Sequence, residues 1–201
     1  SHMKKLSKLS IFDECMNPEL SENEMRETVG GYGGTNDCFF DCMAYITKKL
    51  GGDNTSPSYF MNDYVNGAGN LNDNWEGTKV PGDGLYGPQM FDDNGNLNED
   101  ISNYMSNYFN TVDNTSGSGG WTTGSSDISS LFDDKKTGSG VVMGAYKVDE
   151  STSHAVIFES YSDGVYTYYD PSTGNRGSVS DSDVLGAIKA TGLREEETGD
   201  E

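Results

Sequence analysis

The sequence predicts an α+β domain, helical in its first part and built of antiparallel strands in its last third. Three observations carry this: an apolar run of helical period over residues 37–51, a change after residue 140 to strand-type runs, and a Ser162-Asp163-Gly164 turn that pairs two of those runs as a hairpin. At 201 residues the chain is long enough for one globular domain with a real core.

Composition narrows the possible partners. A formal net charge of -20 repels phosphate backbones and acidic lipid surfaces, so nucleic acid is excluded as an expected partner. No run of eighteen apolar residues is present, and membrane insertion is not expected. The N-terminus also lacks the apolar core of a general secretory signal. Abundant Gly, Asn, Ser and Asp, with 33% hydrophobic residues, predict a loop-rich, well-solvated exterior of the kind exported proteins have. Tyr and Phe clustered in periodic segments argue against disorder throughout. Ser1, His2 and Met3 have the character of a tag scar with the native start, which leaves His154 as the one native histidine.

The elements follow in chain order. Lys4, Lys5 and Lys8 alternate with Leu6, Leu9, Ile11 and Phe12; then Ser21 and Glu24 form a capping box for a helix ended by Gly30-Gly31-Tyr32-Gly33-Gly34. The next helix is capped by Asp37, carries Phe39, Cys42, Met43, Ile46 and Leu50 at helical spacing, places Lys48 and Lys49 against its C-terminal dipole and stops at Gly51-Gly52. It is expected to be central and buried. Between residues 53 and 140 short helices are predicted over 58–65, 98–109 and 127–132, separated by Gly- and Asn-rich loops. Strands are predicted over 141–146, 154–161 and 165–169, a final helix over 181–190, and a solvated acidic tail from Glu195.

No metal or organic cofactor is expected. In Asp92-Asp93-Asn94-Gly95-Asn96 the glycine falls too early for an EF-hand loop and no Glu follows at the required position, so a turn before a capped helix explains it better. A single native histidine without a paired-cysteine motif does not make a zinc site.

The three cysteines, Cys15, Cys38 and Cys42, cannot build a full disulfide framework, and Cys38 and Cys42 lie too close on one helix to bridge. Cys38 follows the cap directly, where unpaired amides and the helix dipole favour a thiolate; Cys42 lies a turn deeper, where the amides are paired. Each also fits a small core hydrophobe. His154 begins a strand and Asp170 ends its hairpin partner, so an acid is expected where it can hold one imidazole nitrogen while the other faces a thiol.

Two resemblances build on these residues. Leu20-Ser21, Glu24-Met25 and Gly30-Gly31 resemble the double-glycine leaders that peptidase-containing ABC transporters recognise and remove from bacteriocin precursors. The resemblance implies cleavage after Gly31, recognition through Leu20, Ser21, Glu24 and Met25, such a transporter as partner, and secretion after leader removal. Thr28 departs from the pattern, with the aliphatic residue one place later at Val29.

Asp37-Cys38 with Cys42-Met43-Ala44, then His154-Ala155-Val156, then Asp170-Pro171 with Gly174, is similar to the papain-like peptidase domain of those same transporters and its stand-alone relatives. The similarity implies a papain-like fold over residues 32–193, with residues 1–3 the scar and start, 4–31 the leader and 194–201 the tail. It implies that Cys38 is nucleophile, His154 base and Asp170 the orienting acid, acting on a peptide or protein substrate. The family's oxyanion-hole glutamine, six residues before the cysteine, is replaced here by Tyr32; the nearest amide side chain is Asn36. The frame therefore suits a hydrolase of peptide or isopeptide bonds, a secreted toxin or binding protein without turnover, or an acyltransferase using the same triad.

Overall fold

Residues Asp37–Lys49 fold as helix α1, which carries Cys38 at its start. Phe39, Phe40, Cys42, Met43 and Ile46 are all buried, so the helix is enclosed on nearly every side. It ends as its sequence dictates: Gly51 takes φ +85°, its amide donates to Lys48 and the Gly52 amide donates to Thr47, which satisfies the last carbonyls. The computed structural model describes residues 37–53, 55–65, 99–112, 120–148 and 153–194. The proposed leader with Cys15, Leu20, Ser21, Glu24, Met25, Gly30 and Gly31, together with Asn36, residues 92–96 and the acidic tail, lies outside these residues.

Two further helices, α2 (Pro57–Val65) and α3 (Glu99–Ser106), lie within one residue of the expected starts. The Tyr104 hydroxyl of α3 donates to the Phe60 carbonyl of α2 at 3.0 Å. Phe39, Phe60, Tyr104 and Tyr108 meet edge to face or tilted, a packing that aromatic quadrupoles favour. Short helices α4 (Ser125–Ser130) and α5 (Asp134–Thr137) follow strand β1 (Phe109–Thr111).

The remaining strands are β2 (Val141–Lys147), β3 (Ser153–Ser162), β4 (Val165–Asp170), β5 (Asn175–Ser180) and β6 (Val184–Leu193). All six form one antiparallel sheet in the order β1-β6-β2-β3-β4-β5. The class is therefore α+β, as expected. β3 and β4 are joined by Asp163 (φ 50°) and Gly164 (φ +79°), two left-handed residues that match the strand twist of a tight hairpin.

The sheet has a core on each side. Met143, Ala145, Ala155, Ile157, Ile188 and Ala190 pack with α1 and α3, while Val142, Tyr146, Val156, Phe158 and Ala187 pack with Ile128 and Leu131. On this second side Gly144 lets the Phe158 ring lie against the β2 backbone; a Cβ there would sit 2.1 Å from the ring.

Residues 181–190, expected as a helix, form only a 3-10 turn (Asp181–Asp183) and then β6. The reason is position. β6 lies between β1 and β2 with both faces covered, so Ala187, Ile188, Lys189 and Ala190 are buried in succession, and two-sided apolarity imitates a helical pattern. Lys189 is buried because its ammonium is fully engaged, donating to the Leu131 carbonyl (2.7 Å), Asp134 Oδ1 (2.9 Å) and Thr137 Oγ1 (2.8 Å).

Candidate active site

Helix α1 packs on β3 and brings its first turn to the strand that begins Ser153-His154-Ala155. The Ala155 amide donates to Cys38 Sγ at 3.4 Å across 117 residues of sequence, so the sulfur sits beside the histidine's own strand backbone. Cys38 and His154 are both fully buried.

The hairpin supplies the second half. Continuing its register from the Ile157–Tyr169 pair sets Asp170 opposite Val156, with His154 two residues further along β3 on the same face, a diagonal within reach of long side chains. His154 Nε2 and Asp170 Oδ2 are 2.9 Å apart, both side chains out of solvent. The other carboxylate oxygen accepts the Ser172 amide at 2.9 Å, an Asx turn that fixes the carboxylate plane. The Gly174 amide donates to the Asp170 carbonyl at 2.8 Å, and Gly174 takes φ +77° to close the loop. Tyr146 covers the pair, its ring edge-on to the imidazole at 5.7 Å and stacked on Tyr168 at 5.5 Å.

In the tautomer that carries its proton on Nε2, that nitrogen donates to Asp170 and the lone pair lies on Nδ1. Among the described residues Nδ1, like Ser153 Oγ one residue before it, is buried and has no hydrogen-bond partner. The ring is therefore held by one nitrogen with the other unengaged.

The two described cysteines differ in state. Cys42 is a free, buried thiol held well above the ordinary cysteine range by burial, then by the charges of Asp41 and Asp170. Cys38 is disulfide-bonded. Where the sequence predicts a thiol, the structure holds an oxidised sulfur.

Sequence reasoning brought Cys38, His154 and Asp170 forward; the structure joins His154 to Asp170 and sets Cys38 Sγ against the Ala155 amide, one residue after His154. Sequence reasoning missed Asp41 and Ser172. Ser172 Oγ donates to Asp41 Oδ2 at 2.7 Å, linking the Asp170 loop to α1 across 131 residues. Burial pushes the Asp41 carboxyl up to about 6; the nearby charge of Asp170 also raises it, and the Ser172 hydrogen bond and His154 oppose the rise. The signal was modest but present, since Asp41 is three residues after Cys38 and so shares its helix face. A surface cavity of about 510 Å³ opens elsewhere, with Tyr45, Lys49, Phe132, Glu159 and Tyr161 among its lining residues, and Cys38, His154 and Asp170 do not border it.

Among the described residues no helix is long and apolar enough to cross a membrane. No family model, curated protein or solved structure matches this chain, so its site is defined by its own geometry.

Proposed function

We propose that the chain is a papain-like thiol hydrolase of peptide or isopeptide bonds, secreted after removal of a double-glycine leader and held latent while Cys38 is oxidised. The observation that carries the reading is the buried His154–Asp170 pair on the strand whose Ala155 amide, one residue after His154, contacts Cys38 Sγ. A helix bearing a cysteine at its start, packed on an antiparallel sheet bearing histidine and aspartate, supports a papain-like frame.

Reduction of the disulfide by an external thiol, with two electrons and two protons, frees the Cys38 thiol. His154 Nδ1 takes its proton, and the thiolate attacks the substrate carbonyl carbon. The resulting imidazolium, its Nε2–H on Asp170, returns the proton to the departing amine as the acyl–sulfur bond is completed. Water, deprotonated by the same nitrogen, then releases the acid and restores the thiol. Interception of the thioester by an amine instead of water gives the acyl-transfer variant of the same chemistry.

A second reading has its own support. A disulfide at Cys38 suits a secreted toxin or binding protein that keeps the frame without turnover. Labelling separates the two. After mild reduction of the full chain, iodoacetamide at pH 6 is expected to modify Cys38 much faster than Cys42, and His154→Ala removes most of the difference. Equal labelling, or indifference to His154→Ala, refutes the hydrolase.

A further inference from the structure

Asp170 is held by more than its own turn. From His154 Nε2 the contacts run to Asp170 Oδ2 (2.9 Å), from Asp170 Oδ1 to the Ser172 amide (2.9 Å), and from Ser172 Oγ to Asp41 Oδ2 (2.7 Å) on the helix that carries Cys38. Both ends of this chain of contacts belong to the proposed reaction: one is the base, the other lies one turn below the nucleophile. A single serine thus joins the hairpin that positions the base to the helix that positions the sulfur.

We infer that Asp41 and Ser172 are positioning residues of the site, clamping the His154–Asp170 pair against the Cys38 helix and supplying a negative charge behind the imidazolium. The inference rests on the hydrolase reading above. The titratable groups around Asp41 are Cys42 on its own helix, His154 on β3 and Asp170 at the end of β4. Cys42 stays a neutral thiol, so the charges that matter are two carboxylates, one imidazole and, in the reduced chain, the Cys38 thiolate three residues before Asp41. Ionised Asp41 stabilises the imidazolium formed when Cys38 loses its proton. It also repels Asp170, and the Ser172 hydroxyl and amide, one on each carboxylate, moderate that repulsion. Because the carboxyl ionises near pH 6, the clamp becomes fully charged only above that pH.

The test follows Cys38 alkylation by iodoacetamide in the reduced full chain from pH 5 to 9, read by peptide mass spectrometry with Cys42 as an internal reporter of folding. In the unsubstituted chain reactivity is expected to gain a limb near pH 6. Asp41→Asn should remove that limb and lower the rate at pH 7 by about tenfold, the effect of losing one neighbouring charge. Ser172→Ala should lower the rate as well, and Ser172→Thr, which keeps the hydroxyl, should restore it. If Asp41→Asn and Ser172→Ala both keep the original profile while His154→Ala abolishes it, the hydrolase stands and the clamp is refuted. If His154→Ala itself changes nothing, both readings fall. Should Asp41→Asn expose Cys42 to label, the Ser172 pair decides alone: equal profiles for the alanine and threonine variants refute the clamp.

Discussion

Asp41→Asn makes a quantitative prediction about stability that is independent of any catalysis. Burial raises the Asp41 carboxyl from an ordinary 3.8 to about 6. The folded chain therefore binds the proton more tightly than the unfolded chain, so this group favours folding fully below the unfolded value and loses that contribution as pH rises through the folded one. At about 1.36 kcal/mol per pH unit, the gap corresponds to about 3 kcal/mol lost once the carboxyl is fully ionised. Asparagine keeps an oxygen to accept the Ser172 hydroxyl but never ionises. The variant is thus expected to exceed the unsubstituted chain by about 1 kcal/mol at pH 4.5 and about 3 kcal/mol at pH 8, since the loss grows across this window. Urea unfolding of both proteins in parallel, with the disulfide intact, measures the difference. Subtraction cancels the shared acids that do not interact with Asp41. A gap that does not widen with pH, or an asparagine variant less stable at pH 8, refutes the assignment of a half-buried, desolvated carboxylate at position 41.

Three other outcomes are expected. Asp170→Asn should keep the fold and melting temperature while lowering reduced-Cys38 alkylation by roughly tenfold or more, because the amide no longer supports the imidazolium; global unfolding would assign the residue to the turn instead. Gly144→Ala drives a methyl into the Phe158 ring and should cost about 1–3 kcal/mol, seen as a lower urea midpoint, with an unchanged midpoint ruling out that close packing. If residues 4–31 are the proposed leader, incubation with a double-glycine transporter peptidase domain should cut after Gly31 and leave Tyr32 at the N-terminus by intact mass. Leader loss from the protein alone that vanishes in Cys38→Ala would identify self-cleavage.

What the sequence made legible was what local pattern encodes. Helix α1 announced itself through apolar spacing, basic last turn and terminal glycines, and β2, β3 and β4 through apolar and aromatic runs around the Asp163-Gly164 turn. The hairpin made it possible to place His154 near Asp170 before any coordinates. β5, Asn-Arg-Gly-Ser-Val-Ser, was invisible because it is a polar edge strand defined by its pairing with β4. β6 was misread because burial on both faces erases alternation. Asp41 and Ser172 stand far apart in the chain, and no local signal tells a surface serine from one that bonds a helix. The oxidised state of Cys38 was hidden for the same reason: pairing is a tertiary fact.

The sheet order has a consequence for how the molecule comes to exist. Residues 184–193 occupy the slot between β1 and β2, so neither side of the sheet can close until Leu193 has been made. A ribosome-bound chain ending before that point holds a β1 without its partner and a β2 paired on one edge only, with Met143 and Val142 lacking the strand that seals them. The pairings of β6 with β1 and β2 that complete the sheet are long-range and slow to form. Any nonsense product lacking β6 leaves β1 and one edge of β2 unpaired, which makes it a substrate for proteolysis.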